Sequence, residues 1–544
     1  MDLKMNESKS LNLIPLQEFN KITSDILQDR KNVNRIIDLI DILSNLDEIQ
    51  ASNLYAESLI RCLSKIWTNY IDSREMVLLK DDDTDQYSKI NKFKSWLITL
   101  YESTISLFIR ILENKESNYS LKLRQLCLEL LMKFVEEEGK FPYRYATNND
   151  EISFPVVLLE KIVRSLISEL TYNQELIAFY SKYQYDDVIH FTMTILHKII
   201  DENKGNDKQN LMFNIIDMLS PIRLITPEDL LPKSLQSEFR KVNKSNNDRK
   251  TLIRLCELHR IDDSDDSGNH IAKWIQLPTR KFKFNYSRDA EIYSSLWIKY
   301  FTFQLPPQVF KKSLLYLDKY AIRHFENPLL LADFLINSFQ TGGIISILSL
   351  SPLYTLIHKC NLEYPNFYGQ LYSLLEPAIT YVKHRPRFLF WCDLFLTSTH
   401  ISATIVASFA KKFARLTIIS SPDTILILLP FIGNLFIRHP MIKRMLDYKQ
   451  IEPEQDPFLD QEQDPEKTQA LNSYMWELNL LQSHYHPEIV LLSKQISSEL
   501  PRYEWNMEDI LETSMDDVID KTKTSLNDQK KFSYDLDCSL YYDL

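Results

Sequence analysis

Glycine is the residue this chain nearly does without: 7 among 544, where an average protein carries about 7%. Hairpin turns and phosphate-binding loops both depend on glycine's freedom to adopt positive φ, so strand-rich folds and α/β nucleotide-binding folds are disfavoured together. Stretches such as IIDLIDILSNL, LYAESLIRCLSKIW, LRQLCLELLMKFVEE and VIHFTMTILHKII place apolar residues at i, i+3, i+4 and i+7, the period of an amphipathic helix. The expectation is an all-α chain.

Polar breaks separate these segments near 80–91, 143–153, 201–210 and 262–270. No strict repeat period is visible. A recurring device marks helix starts instead: Thr226-Pro227, Asn327-Pro328, Ser351-Pro352, Ser421-Pro422 and Asp464-Pro465 each set a capping side chain before a proline, which has no N–H to lose at the first helical position. Many short helices, each too apolar to stand alone, imply an irregular α-solenoid of stacked antiparallel helices, HEAT- or armadillo-like. Residues 1–275 read as a helical-repeat region, and 501–544 as an acidic, partly flexible tail that orders against a partner.

The catalytic signatures that depend on glycine are missing. The one Gly-Lys pair, Gly139-Lys140, is followed by Phe141 and preceded by Phe134 where a phosphate loop needs glycine, and neither G-x-G-x-x-G nor G-x-S-x-G occurs. Cys256-x-x-His259 with His270, and His484-x-His486, lack the second paired motif of a structural zinc site. Asp456, Asp460, Glu462 and Asp464 lack the central glycine of a calcium loop. Six scattered cysteines without a C-x-x-C pair suit a reducing compartment. The longest apolar run, Thr424–Ile437, is too short for a membrane span and reads as a buried core helix. No enzyme activity, cofactor, metal, small-molecule substrate or membrane is expected.

Charge is segregated. The net charge is −11; residues 301–450 hold 15 Lys+Arg against 8 Asp+Glu, a balance of +7, and 451–544 hold 7 against 21, a balance of −14. Such a split suggests local electrostatic docking to a partner, or two differently solvated faces. Arg280, Lys281, Lys283 and Arg288 alternate with Phe282, Phe284 and Tyr286, the pattern of an extended arm, able either to grip RNA or to pack as a connector.

The stretch FLTSTHISATIVASFAKKFARL, 395–416, sets His400 among hydroxyls. On a helical wheel Ile401, Ile405, Val406, Phe409, Phe413 and Leu416 form one apolar arc, and Ala403, Ala407, Ala410 and Ala414 a second. Thr404, Ser408, Lys411, Lys412 and Arg415 fill the remaining strip. Ser398 or Thr399 is expected to cap this helix, leaving His400 packed in its first turn rather than acting as a catalytic base.

Together with NLEYPNFYGQLYSLLEP (361–377), LFIRHP (435–440) and DPFLDQEQDPEKTQALNSYMWELNLLQSHYHPEI (456–489), this stretch resembles the CCAAT-binding-factor-type domain of the nucleolar complex (Noc) family. The resemblance runs from about 297 to 495, within a carboxy-terminal domain placed at 276–500. A compact chain without long charged extensions is most similar to the family's small-subunit branch. The resemblance implies a non-enzymatic scaffold of the small-subunit processome, located in the nucleus and nucleolus. It would form a heterodimer with nucleolar protein 14 among other processome proteins, support small-subunit rRNA maturation and pre-40S export, and contact pre-rRNA weakly if directly. Carried onto matching positions, the partner-binding candidates are Lys411, Lys412, Arg415, Arg438, His439, Lys443, Arg444, Asp456 and Phe458. Trp476 and Tyr485 also match, as interface anchors or core residues. Architecture alone leaves one alternative, an importin-like transport or adaptor solenoid.

Overall fold

Helices form where the apolar period predicts them, and no strand occurs among the described residues. The computed structural model describes residues 15, 18–45, 53–77, 85–113, 119–140, 154–203, 208–224, 285–398, 400–446, 456–498, 500–511, 515–520 and 523. They cluster into two compact units, Met1–Asn327 and Pro328–Leu544.

The first unit contains α1 (Phe19–Gln28), α2 (Arg35–Ser44), α3 (Asn53–Asp72), α4 (Asp85–Glu113), α5 (Leu121–Lys140), α6 (Val156–Leu166), α7 (Gln174–Tyr180), α8 (Asp186–Glu202), α9 (Gln209–Leu219), α10 (Tyr286–Tyr300) and α11 (Pro307–Tyr316). Helices pack on the next but one: α1 on α3, α3 on α5, α4 on α6, α6 on α8. Each therefore buries two sides, the arrangement of a stacked-hairpin solenoid. In α3 the buried residues Leu59, Ile60, Leu63, Ile66, Trp67, Tyr70 and Ile71 follow the helical period. Trp67 is wholly buried, and its indole N–H donates to Thr104 Oγ1 at 3.1 Å, so the large ring leaves no orphan donor.

Helix α10 packs with this unit through α8. Buried His190 and Asp289 share a hydrogen bond of 2.5 Å, Lys299 pairs with Asp201 at 2.6 Å, and the Tyr300 hydroxyl donates to the Met212 carbonyl at 3.1 Å. The boundary drawn at 275/276 lies outside the described residues, and the first compact unit runs on to Asn327. The expected extended arm is corrected where it can be seen. Asn285 accepts from the Arg288 N–H at 3.3 Å and caps α10, so Tyr286–Arg288 form a first helical turn.

The second unit contains α12 (Ala332–Gln340), α13 (Gly343–Cys360), α14 (Phe367–Ser373), α15 (Arg385–Leu396), α16 (Ala403–Ile419), α17 (Pro422–Arg438), α18 (Trp476–Leu481), α19 (Pro487–Ser498) and α20 (Met507–Leu511). Helix α17 is buried from Asp423 to Phe436, apolar nearly all round as a central helix must be. It packs against α16, α19 and α20. Helices α13 and α4 contain segments long and apolar enough to cross a membrane by length and composition. Both bury apolar residues against protein neighbours, α13 on α12 and α15, and α4 on α5 and α6.

Two of the expected helix starts are corrected. Pro352 lies inside α13, whose first turn begins nine residues earlier at Gly343. Asp464 instead closes a local turn, its Oδ1 accepting from the Glu466 N–H at 3.1 Å. Ser421-Pro422 does open α17, and Asn327-Pro328 opens a 3₁₀ turn, Pro328–Leu331. Thr226-Pro227 falls outside the described residues.

Candidate functional site

Helix α16 starts at Ala403, later than the sequence suggests. Ser402 is its N-cap, with Oγ accepting from the Ile405 N–H at 3.4 Å. His400 is left exposed in the preceding turn, neither packed nor in the helix. The two apolar arcs are buried from Val406 onward, with Val406, Phe409, Ala410, Phe413 and Ala414 fully enclosed, while Ile401, Ala403 and Ile405 are half-buried.

The polar strip is where expectation and structure part. Lys411 is completely buried. Its ammonium donates to the Tyr474 carbonyl at 2.6 Å and lies 2.8 Å from Glu477 Oε1 and 3.0 Å from Asp456 Oδ2. The rings of Phe458, Tyr474 and Trp476 stand 6.0, 5.8 and 5.5 Å from it. Arg415, half-buried, meets Asp456 Oδ2 at 3.0 Å and lies 4.6 Å over the Trp476 ring. One helical turn before Lys411, Ser408 Oγ donates to the Pro465 carbonyl at 2.5 Å. Lys412 reaches the Asp460 carbonyl at 3.1 Å and lies over the Tyr372 ring. The strip thus holds the chain's own segment 456–477.

Asp456 organises that segment. Its Oδ1 accepts from the Ser473 hydroxyl at 2.5 Å and the Phe458 N–H at 3.1 Å, and its Oδ2 from the Trp476 indole at 3.0 Å. Burial alone would push the Asp456 carboxyl up, but Ser473, Lys411 and Trp476 together hold it below the usual carboxylate value. Glu477 goes the other way: its burial outweighs Lys411 and Arg415 and raises its pKa. Two cations and two anions balance within a largely dry cluster, the condition under which buried charge is tolerated.

Lys411, Asp456 and Phe458 are therefore corrected from partner-binding candidates to internal residues, because their functional atoms are buried and used within the fold. Trp476 is half-buried and serves the same cluster. Arg438, at the end of α17, is also engaged internally, 2.7 Å from Asp393 Oδ1 and 2.7 Å from Glu504 Oε2. His439 Nε2 bonds the Leu396 carbonyl at 2.8 Å. Arg444 is exposed but donates to the Leu471 carbonyl at 2.8 Å. Lys443 is exposed, and Tyr485 is 79% exposed, so that ring is no core residue. Arg288 is exposed on α10; Arg280, Lys281 and Lys283 lie outside the described residues.

The strip's partners were hard to find from sequence. Asp456, Tyr474 and Glu477 sit 41 to 66 residues from the cations they meet, and only an acidic residue inside the apolar run YMWELNLL hints at a buried pair. Asn434 was missed altogether. Its side chain donates to the Trp505 carbonyl at 2.9 Å and accepts from the Trp505 N–H at 2.8 Å, pinning 500–511 to α17. Next to it, a Cβ on Gly433 would stand 2.3 Å from the Trp505 ring.

Comparison with known proteins covers nearly the whole chain. Residues 346–493 match the CBF/Mak21 family, and residues 9–205 match nucleolar complex protein 4-like TPR repeats. Nucleolar complex protein 4 homolog B of Xenopus laevis is 33% identical over 518 residues, spanning 93% of this chain and 90% of its own. The chain belongs to the nucleolar complex protein 4 family. The human nucleolar complex protein 4 homolog is 30% identical over 500 residues, 90% of this chain and 88% of its own. Nucleolar complex protein 4 of Saccharomyces cerevisiae is 40% identical over 260 residues, 43% and 46% of the two chains. The amino-terminal half, legible from sequence only as helices, is thus a family repeat region too, and the stretch 456–477 held by α16 falls within the CBF/Mak21 match.

Proposed function

We propose that this nucleolar complex protein 4 family member is a non-enzymatic ribosome-biogenesis scaffold of the nucleolus. The observation that carries this reading is likeness along nearly the full length to relatives named for the nucleolar complex. Two stacked-helix units offering broad surfaces fit such a role. More finely, the chain acts in the small-subunit processome as a heterodimer with nucleolar protein 14, and supports small-subunit rRNA maturation and export of the precursor.

The pairing surface lies among residues the fold leaves outside: Lys443 with Met441, which is 75% exposed, and Tyr485 with Leu480 and Leu491, which are 51% and 68% exposed. Exposed aromatic and apolar side chains beside a cation are the usual anchors of a protein interface. Affinity purification of the tagged chain from nucleolar extract tests the reading. Recovery of nucleolar protein 14 in stoichiometric amount with small-subunit precursors is expected; recovery of neither overturns it.

A further inference from the structure

The segment KKSLLYLDKYAIRHF, 311–325, lies between the two family matches. It runs from α11 through a π-helical turn, Leu317–Ala321, into a 3₁₀ turn, Ile322–His324. In α11 residues four apart share a face, and the wider π-helical turn, bonded i→i+5, keeps residues four to five apart neighbours as well. Lys311, Lys319 and Arg323 fall on one row. Tyr316 and Tyr320 fall on the row beside it, their rings stacked 6.3 Å apart.

A second segment adds to this charge. Arg223, just beyond α9, lies 5.0 Å over the Tyr320 ring, and Lys319 lies 5.0 Å over it too. Arg323 donates to the Lys319 carbonyl at 3.0 Å, which fixes its stem. Arg223, Lys319 and Arg323 are exposed, and none makes an ion pair among the described residues. The nearby carboxylate Asp217 is already taken by Lys312 and the Tyr172 hydroxyl. Cations gathered this closely repel one another, and an anionic ligand relieves that repulsion.

We propose that Arg223, Lys311, Lys319 and Arg323, beside Tyr316 and Tyr320, form a binding site for single-stranded nucleic acid. The cation row takes successive phosphates and the tyrosine row offers ring edges and faces to the bases. Cations beside stacked aromatics favour a nucleic-acid strand over an acidic peptide, which carries no base to stack. The site stands apart from the pairing surface and does not depend on it.

The test is fluorescence anisotropy of a labelled 12-nucleotide oligouridine with the full chain across a salt series. Arg223→Glu, Lys319→Glu and Arg323→Glu combined should weaken binding at least roughly tenfold and reduce the slope of log K against log salt by about 2. Tyr320→Leu should weaken binding with the salt slope unchanged. Lys494→Glu, an exposed lysine on α19, should change neither. Absence of binding by the unaltered chain, or binding indifferent to the triple substitution in a variant whose melting is unchanged, would overturn the proposal. Equal, equally sensitive binding of polyglutamate would assign the site to acidic peptides instead.

Discussion

Lys411 and Glu477, 66 residues apart, meet in the dry interior of the carboxy-terminal unit, with the ammonium 2.8 Å from one carboxylate oxygen and 3.0 Å from the other. A strip that reads on a wheel as a solvated basic face is instead the clasp for a returning segment.

Removing the cation should leave two buried anions with Arg415 alone to balance them. Lys411→Met is expected to destabilise the carboxy-terminal unit by about 3–5 kcal/mol, the cost of breaking a buried pair from one side. Adding Glu477→Gln should recover part of that loss, because one uncompensated charge goes with it. Urea denaturation of the two single variants and the double variant measures the coupling.

The carboxyls of this unit set an acid response with two opposing parts. The Asp456 and Asp423 carboxyls both sit below their ordinary value: burial opposes ionisation, but Ser473 and Lys411 at one, and Ser421 and Arg385 at the other, outweigh it. Their stabilisation is complete above the unfolded carboxylate value of about 3.9 and is lost as pH falls through the lower folded values. Glu477 is raised, so protonating it favours the folded state as pH drops through its folded value. Glu477→Gln should therefore look best relative to the parent at neutral pH and lose ground as pH is lowered. Paired thermal melts at pH 7 and pH 5 check the sign.

At Gly433 the requirement is space rather than backbone freedom. Gly433→Ala should displace the Trp505 ring, release the 500–511 segment from α17 and cost about 1–3 kcal/mol, as overpacking does. Limited trypsin cleavage after exposed Arg502 should rise sharply, while cleavage within the amino-terminal unit stays unchanged.

The proposed pairing surface can be tested apart from the clasp. Tyr485→Asp and Lys443→Glu are expected to lower affinity for nucleolar protein 14 by roughly tenfold or more each, the cost of an interface anchor, with melting temperature unchanged. His400→Ala should change neither affinity nor melting, since that ring is exposed ahead of the helix cap. Calorimetric titration and a melt on each variant decide this.

What could be read from sequence followed periodicity. The helical period of α16 and α17 and the scarcity of glycine gave the class and even the buried arcs, because both are local. At Ser421-Pro422 an apolar helix does begin afresh at the proline, though the serine side chain makes no capping hydrogen bond, and the rule failed at Ser351-Pro352, where flanking apolar turns carry α13 through the proline. Lys411 could not be placed by any local rule. Its fate depends on Asp456, Tyr474 and Glu477 arriving from a segment beyond α17, and a wheel sees only one helix at a time.

The central claim is that segment 456–477 is clasped by α16 within the free chain, leaving pairing to other surfaces. Amide hydrogen exchange of the purified chain, alone and with nucleolar protein 14, tests it directly. The account predicts that Tyr474–Leu478 are already protected in the free chain and do not change on binding, while new protection appears at 441–444 and 480–491. Exchange at Tyr474–Leu478 that is fast in the free chain and slows only with the partner would contradict it.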